Sequence, residues 1–247
     1  MTARVLRVGV IGAYGRMGAE VSRAVEAEAD LELVARVGKG DSLDSLSGAD
    51  VAVEFSTPET VKENVLESLR RGLDVVVGAT GLSPADLTEI EAAASGTGGR
   101  VLVAPNFAVG AVLMMRFAAA AAPHFDAVEI VERHHERKLD APSGTALRTA
   151  ALIKAARHLR ESSSEDMNAA PSRGTDAGGV RIHSLRLPGS VAHQEVVFGG
   201  RGQTLTIRHD SIDRSSFMPG VVLGIRRVGE LTAPVTVGLE HLLDLDT

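Results

Sequence analysis

The sequence contains no cysteine and no tryptophan, and tyrosine occurs once among its 247 residues. Without cysteine the chain can form no disulfide, no thiolate nucleophile and no cysteine-ligated metal site. Aromatic residues make up only 3 % of the chain, so a core has to be built from Ala, Val, Leu and Ile. Such a core suits a buried parallel sheet that is covered by helices.

Positive charge is also scarce, because 26 Lys and Arg residues stand against 32 Asp and Glu and give a formal net charge of −6. A protein that binds nucleic acid neutralises phosphates with a basic face, so we expect no nucleic-acid partner. We also expect no membrane span, because the apolar stretch from Phe107 to Pro123 is short and is broken by Arg116. The N-terminus shows no signal-peptide pattern, which predicts a cytoplasmic protein.

The N-terminal part of the chain alternates Val- and Ile-rich runs with helical patterns. The runs predicted to be strands are RVLRVGVIG, LELVARV, DVAVEFS, DVVVGATG and RVLVAPNF. Thr57 and Pro58 resemble an N-cap and a first helical residue, and that helix is predicted to end at Gly72. Ser83 is predicted to cap the next helix in the same way. Alternation of this kind indicates βαβ units and a parallel sheet of the Rossmann type.

After Asn106 the pattern changes to that of an α+β domain. Helices are predicted over residues 109–122 and in the run GTALRTAALIKAARHLR, and a strand is predicted in DAVEIVERHH. A polar loop over 162–179 is followed by three predicted strands, VRIHSLRL, SVAHQEVVFG and QTLTIRHDS, which form a mixed or antiparallel sheet. A last helix over 217–230 is expected to pack on the first domain. The predicted domains are therefore 1–106 plus 215–247, and 107–214.

A glycine-rich turn joins the first strand to the first helix. In GVIGAYGRMG, the residues Gly12, Gly15 and Gly18 have the spacing G-x-x-G-x-x-G. Glycines at this position let the backbone approach a pyrophosphate, and the helix N-terminus offers N–H groups to it. The alternative is a tight turn that binds no ligand. Its place between strand and helix favours the dinucleotide.

The end of the second strand bears on which dinucleotide is bound. An acid there normally holds the ribose 2′-hydroxyl. Here the sequence has Arg36, Val37, Gly38 and Lys39 instead, and basic residues at this place can hold a 2′-phosphate. This favours NADPH, with NADH also accepted, although Arg36 and Lys39 could equally be solvated surface charges. Arg16 could also reach a phosphate.

Proton donors and positive charge are concentrated in the segment ERHHERKLDAPSGTA. His134, His135 and Lys138 precede a predicted helix start, where Ser143 and Thr145 would add hydroxyl groups to the N–H groups of an anion site. Histidine titrates near neutrality, and lysine acts as an acid when its pKa is lowered. No H-E-x-x-H pattern or acid cluster supports a metal, so we expect none. A reductase needs such a proton source and substrate clamp.

These motifs resemble the dihydrodipicolinate reductase family. The resemblance rests on VGVIGAYGRMG, APNFAVGAVL and above all ERHHERKLDAPSGTA, and it covers nearly the whole chain. It implies NADPH- or NADH-dependent reduction of 4-hydroxy-tetrahydrodipicolinate, by way of dihydrodipicolinate, to tetrahydrodipicolinate in diaminopimelate and lysine biosynthesis. It also implies a homotetramer that assembles through the second domain, which would bind a small dicarboxylate substrate.

The resemblance further implies roles for individual residues. Catalytic roles fall on His134, as a proton donor and acceptor, and on Lys138, as a proton donor. Substrate-binding roles fall on His135, Ser143, Gly144 and Thr145. Cofactor-binding roles fall on Gly12, Ala13, Tyr14, Gly15, Arg16, Met17, Lys39, Gly78, Ala79, Thr80, Ala104, Pro105, Asn106 and Phe107.

The sequence departs from the family's pattern in two places. Many members carry an acid at the end of the second strand, where this chain has Gly38 and Lys39. The usual Gly-Thr-Thr-Gly after the fourth strand reads Gly78-Ala79-Thr80-Gly81, which removes one hydroxyl group. Two other functions stay open at this point. One is a homoserine or semialdehyde dehydrogenase of similar architecture, and the other is a non-enzymatic nucleotide sensor, which would not need the His and Lys cluster.

Overall fold

The structure, a computed structural model, describes residues 4–157 and 171–244. The chain divides into two compact units. The first unit holds the described residues up to Val109 and from Arg214 onward, and the second holds Gly110–Asp213. No helix in these described ranges is long and apolar enough to cross a membrane.

The described residues form eleven strands and six α-helices, which are joined by loops and short 3-10 helices. The strands are β1 (Leu6–Ile11), β2 (Leu31–Val37), β3 (Val51–Glu54), β4 (Asp74–Val77), β5 (Val101–Val103), β6 (Ala127–His134), β7 (Thr175–Asp176), β8 (Arg181–Arg186), β9 (Ala192–Gly200), β10 (Gln203–Ser211) and β11 (Val235–Val237). The helices are α1 (Arg16–Ala27), α2 (Val61–Arg70), α3 (Pro84–Thr97), α4 (Val109–Ala121), α5 (Gly144–Ala156) and α6 (Met218–Arg227).

The first unit is built on a parallel sheet with the strand order β11-β5-β4-β3-β1-β2. The Val residues of β1, β3 and β4 are buried, as expected for strands that are covered on both faces. The strand order reverses between β1 and β3, which places the carboxyl ends Ile11 and Glu54 side by side. Ligands bind at such a reversal in open α/β sheets.

The second unit contains the mixed sheet β10-β9-β6-β8-β7. Strands β6 and β8 run parallel, and the other neighbouring pairs are antiparallel. Along β6, Val128, Ile130 and Glu132 are buried, whereas the residues between them are partly exposed. The prediction of a Rossmann-type sheet followed by an α+β domain on a mixed sheet is therefore confirmed.

Three local predictions need correction. Helix α2 begins at Val61 and not after Thr57, because residues 57–60 form a turn in which the Thr60 N–H donates to the Thr57 carbonyl at 3.1 Å. The predicted loop over 162–179 contains the short strand β7, and its part before residue 171 lies outside the described residues. Strand β11 was not predicted, although it completes the parallel sheet beside β5.

Candidate active site

The glycine turn after β1 leaves no room for a side chain at Gly12 or Gly18. Gly12 has a φ of +76°, and a Cβ atom there would lie 2.5 Å from the Phe55 carbonyl oxygen. A Cβ atom on Gly18 would lie 2.1 Å from the Gly12 carbonyl oxygen. Helix α1 begins at Arg16 with no side-chain cap and no acid in its first turn. Its N–H groups are thus suited to an anion, and the turn fits a pyrophosphate.

The loops after β3, β4 and β5 meet around the ring of Phe55. A Cβ atom on Gly78 would lie 2.2 Å from this ring, and the ring of Phe107 lies 5.8 Å away between centroids. Gly81 is equally close to Pro58, since its Cβ atom would lie 2.5 Å from the Pro58 Cβ. The predicted cofactor segments Gly78–Thr80 and Ala104–Phe107 are thereby brought together at the carboxyl edge of the sheet.

Glu54 holds the loop after β3 in place. Its side chain is fully buried, and it accepts hydrogen bonds from the Ser56 N–H at 2.6 Å and from the Asn64 amide at 3.0 Å. Burial raises the pKa of this carboxyl group, while the Ser56 and Asn64 hydrogen bonds act in the opposite direction. Glu54 was not among the predicted site residues.

The end of β2 differs from the prediction in two respects. Arg36 forms an ion pair with Glu26 at 2.6 Å, so its charge is already compensated. Asp41, which the sequence analysis did not consider, accepts a hydrogen bond from the Gly38 N–H at 2.7 Å. The ring of Tyr14 lies against Gly38, because a Cβ atom there would be 2.7 Å from the Tyr14 Cδ2. Lys39 is exposed beside them.

Strand register explains how the second unit assembles its polar site. Residues that are directly opposite on neighbouring strands point to the same face of a sheet. The register of β8, β6, β9 and β10 therefore produces one row of side chains: Ser184, Glu132, Gln194 and His209. The next row on the same face begins with Arg186 and His134. Two polar rows thus lie at the end of an otherwise apolar face.

Glu132 is the centre of these rows, and its side chain is fully buried. Arg186 donates to both of its carboxylate oxygens, each at 2.9 Å. The Nδ1 atom of His134 lies 2.5 Å from Oε2, and the Ser143 N–H donates to Oε1 at 3.2 Å. One carboxylate thereby joins strand β6, strand β8 and the start of helix α5.

The charge of Glu132 follows from this environment. Burial by itself would raise the pKa of the carboxyl group, but hydrogen bonds from His134, Arg186 and Ser184 lower it from 4.5 to about 2. Glu132 is therefore ionised at neutral pH. An ionised carboxylate can only accept hydrogen bonds.

The loop between β6 and α5 is tied to the same network. Lys138 donates to Asp140 at 2.8 Å, and Arg186 donates to the Asp140 carbonyl oxygen at 2.6 Å. The hydrogen bond from Lys138 lowers the pKa of Asp140, and burial opposes this effect. Through Asp140 and Arg186, Lys138 is connected to the Glu132 carboxylate.

Helix α5 starts at this loop with Ser143 as its N-cap. The Ser143 hydroxyl accepts a hydrogen bond from the Ala146 N–H at 3.2 Å and keeps its own proton for donation. Thr149, one turn further along, donates to the Thr145 carbonyl oxygen and accepts from Gln194 at 2.7 Å, which fastens the helix to the sheet. Gly144 and Thr145 form the first turn, where an anion is favoured.

The predicted site residues of the second unit differ in how they are connected to Glu132. His134 and Ser143 contact Glu132 directly, and Lys138 reaches it through Asp140 and Arg186. His135 follows the end of β6, and its buried Nδ1 atom has no hydrogen-bond partner among the described residues. The roles assigned to these residues remain predictions.

Glu132 and Arg186 were not among the predicted site residues. The signal for Glu132 was present, since it falls two residues after Ile130 and four after Val128 on the apolar face of β6. Arg186 gave no comparable signal, because its position opposite His134 depends on strand pairing. No group of three or more His, Asp or Glu side chains in the described parts of the chain could hold a metal ion.

Comparison with known proteins identifies related chains. Residues 6–107 match the family model described as "Dihydrodipicolinate reductase, N-terminus", and residues 110–243 match "Dihydrodipicolinate reductase, C-terminus". A 4-hydroxy-tetrahydrodipicolinate reductase of Streptomyces coelicolor is 53 % identical over 98 % of this chain and 99 % of its own length. One of Nocardia farcinica is 52 % identical over 97 % and 99 %.

A solved structure is also closely similar. Dipicolinate-bound dihydrodipicolinate reductase from Paenisporosarcina sp. TG-14 matches with a TM-score of 0.86 and 38 % sequence identity. The match covers 97 % of this chain and all of that one, which extends the similarity to both units.

Proposed function

This chain belongs to the dihydrodipicolinate reductase family, and we propose that it reduces 4-hydroxy-tetrahydrodipicolinate, by way of dihydrodipicolinate, to tetrahydrodipicolinate. The reaction belongs to diaminopimelate and lysine biosynthesis. Relatives named for this activity are about as long as this chain and half identical to it. Membership of this family argues against the two alternative functions, a homoserine or semialdehyde dehydrogenase and a nucleotide sensor.

The observation that carries the proposal is the network around Glu132. It unites two groups that can transfer protons, His134 and Lys138, with a helix N-terminus that can hold a carboxylate. A dicarboxylate that must accept a proton requires both features. The local positive charge of this segment is thus explained in a chain whose net charge is −6.

The reduction needs one hydride and one proton. When bound, the dihydronicotinamide supplies the hydride to C4 of the conjugated imine that remains after water leaves the hydroxylated compound. The substrate then becomes an enamide anion, and one proton at C5 restores the imine. We assign that proton to His134 and Lys138. Ser143, Gly144 and Thr145 hold one carboxylate of the substrate at the helix N-terminus, with His135 beside it.

The first unit is a dinucleotide-binding domain, and we propose that it accepts NADPH and NADH with NADPH favoured. Gly12 to Met17 would hold the pyrophosphate, and the loops around Phe55 would hold the nicotinamide end. Lys39 supports NADPH, because it is exposed at the end of β2 and could bind a 2′-phosphate. Asp41 supports NADH, because one carboxylate oxygen remains for a ribose hydroxyl.

We also propose a homotetramer and a cytoplasmic location. The face of the mixed sheet that carries Glu129, Arg133 and His193 supports the first point, since it is only partly buried. It bears ordered polar pairs, among them the hydrogen-bonded Glu129 and His183 at 2.7 Å and His193 and Asp210 at 2.6 Å. A partner subunit with complementary polar and charged groups would suit this face.

The test is an assay of NADPH and NADH oxidation with the substrate made fresh from pyruvate and aspartate semialdehyde. We expect oxidation that depends on this substrate. In Lys138→Met and His134→Gln, kcat should fall on the order of 10²- to 10⁴-fold with little change in dinucleotide affinity. The control Lys154→Met removes an exposed lysine of helix α5 and should keep full activity. Unchanged turnover in both active-site variants would exclude their assigned roles.

A further inference from the structure

We propose that Glu132 is a positioning residue that fixes the proton of His134 on Nδ1, so that Nε2 is the atom that exchanges a proton with the substrate. The inference rests on the proposed function of the site. It adds to that function two residues, Glu132 and Arg186, which the sequence motif alone does not distinguish from structural neighbours. Neither residue needs to contact the substrate for this role.

The geometry of the carboxylate determines which ring nitrogen of His134 is protonated. The His134 Nδ1 atom lies 2.5 Å from Oε2 of a carboxylate that can only accept hydrogen bonds. Nδ1 therefore carries a proton whether the ring is neutral or charged. The ring can then gain or lose a proton only at Nε2, and it donates from there when it is an imidazolium.

Arg186 keeps the carboxylate in the form that this role requires. Its guanidinium group binds both oxygens at 2.9 Å, which maintains the negative charge and fixes the plane of the carboxylate. The groups that face Glu132 are His134 and Ser184 on the strands and the Ser143 N–H on the helix. Arg186 and the Ser143 N–H hold the carboxylate in place, and the carboxylate in turn fixes the orientation of the His134 ring.

The same carboxylate also sets the position of the anion-binding turn. Oε1 accepts from the Ser143 N–H at 3.2 Å, and Arg186 holds the Asp140 carbonyl oxygen at 2.6 Å. The buried Glu132 carboxylate thus positions both the His134 ring and the N-terminus of helix α5. A purely structural ion pair would anchor the loop but would not determine which ring nitrogen is protonated, and this difference can be measured.

The first experiment is NMR of protein labelled with ¹⁵N-histidine, in which long-range proton–nitrogen spectra report the protonated ring nitrogen. His134→Asn identifies the signal. We expect the wild-type ring to carry its neutral-form proton on Nδ1. This measurement uses no substrate, so its outcome does not depend on the proposed reaction.

The decisive variant is Glu132→Gln. An amide that keeps its oxygen toward the Ser143 N–H and Arg186 Nη2 must turn its NH₂ group toward His134, where it can no longer accept from Arg186 Nη1. Nδ1 would then become an acceptor, and the proton would move to Nε2. We expect this reversal in the spectrum, together with a fall in kcat on the order of 10²-fold and little change in KM for the dinucleotide.

Two further variants separate this effect from lost stability. Arg186→Lys keeps a cation beside Glu132, so it should keep the Nδ1 proton and lose less activity than Glu132→Gln. Asp50→Asn removes a carboxylate that binds Arg4 and Arg7 at the amino edge of the first sheet. It should lower the unfolding temperature without changing kcat or the His134 signal.

The outcomes are distinct. A neutral wild-type ring with its proton on Nε2 would overturn the inference, as would a Glu132→Gln enzyme with full kcat. If Glu132→Gln does not fold, the wild-type tautomer still decides. Wild-type protein that shows the Nδ1 proton but no substrate-dependent oxidation would instead refute the proposed function.

Discussion

The carboxylate of Glu132 makes the second unit sensitive to acid. Its pKa is lowered from 4.5 to about 2 in the folded chain, so its contribution is fully present above about pH 4.5 and is lost as the pH falls toward 2. A shift of this size corresponds to about 3 kcal/mol of folding free energy at neutral pH. Removing one partner of a buried ion pair costs a similar amount.

Glu132→Gln should therefore destabilise the protein most at neutral pH, and its difference from wild type should shrink between pH 5 and pH 2. Thermal unfolding at a series of pH values would measure this. The control Glu136→Gln alters an exposed carboxylate four residues away and should follow the wild-type curve. A difference that stays constant with pH would show that the charge of Glu132 does not contribute.

Single residues could be predicted where their role is local. Ser143 and Lys138 could be identified because a helix cap and a cation are recognised from the residues next to them in the sequence. The structure does place Ser143 at a helix N-terminus. Arg186 could not be found, since it is 54 residues from Glu132 and becomes a neighbour only through the pairing of β6 with β8. Asp41 was missed because its carboxylate turns back to Gly38.

At the scale of elements, the contact between the glycine turn and helix α1 should tolerate no added atom. A Cβ atom on Gly18 would lie 2.1 Å from the Gly12 carbonyl oxygen and 2.8 Å from the Ala13 Cα, and both are backbone atoms. The turn would have to move away from the helix that presents its N–H groups to the pyrophosphate.

Gly18→Ala should thus weaken NADPH binding at least tenfold and lower stability by about 1–3 kcal/mol. Titration by NADPH fluorescence and thermal unfolding would measure the two effects. Gly96→Ala in helix α3 is the matched control, because nothing lies within 4 Å of its Cβ position. That variant should bind normally and be slightly more stable, since Ala favours a helix. Normal binding by Gly18→Ala would exclude the turn as the pyrophosphate site.

Whole elements were predictable where a chemical signal marks their ends. Ser83 caps helix α3 through a capping box with Asp86, as the Ser-Pro pattern suggested. The same logic failed at Thr57, where a turn precedes helix α2 because Ser56 and Asn64 are held by Glu54. Strand β11 has three residues, and only its pairing with β5 distinguishes it from a loop.

At the scale of the molecule, the first unit depends on the end of the chain. Helix α6 packs beside α1, and β11 pairs with β5 to complete the parallel sheet. Gly220 lets α6 approach the loop after β5, because a Cβ atom there would lie 2.0 Å from the Phe107 carbonyl oxygen. Arg226 adds ion pairs to Glu28 and Asp30.

A chain that stops after Asp213 should therefore fail to form the dinucleotide domain. It would leave β5 as an open edge and uncover apolar side chains of the sheet that lie against α6, such as Val76 and Leu102. Circular dichroism and NADPH binding would test this, with a chain that stops after Asp244 as the control. A shortened chain that binds NADPH as tightly as the full chain would contradict the prediction.

The architecture was predictable from the alternation of strands and helices, since βαβ units leave few arrangements. The sequence also indicated that the last helix returns to the first domain. The register within the mixed sheet was not predictable, because it depends on contacts between distant strands such as β6 and β8. The polar rows that form the site depend on that register.

The first unit is built from two separate segments of the chain, which affects the order in which the protein folds during synthesis. A ribosome releases the chain from the N-terminus, so residues 110–213 emerge before the segment from Arg214 that supplies α6 and β11. The second unit is complete in the nascent chain while the sheet of the first still lacks its edge strand. The domain that is encoded first is therefore the last that can finish folding, and until then it exposes surface on which chaperones act.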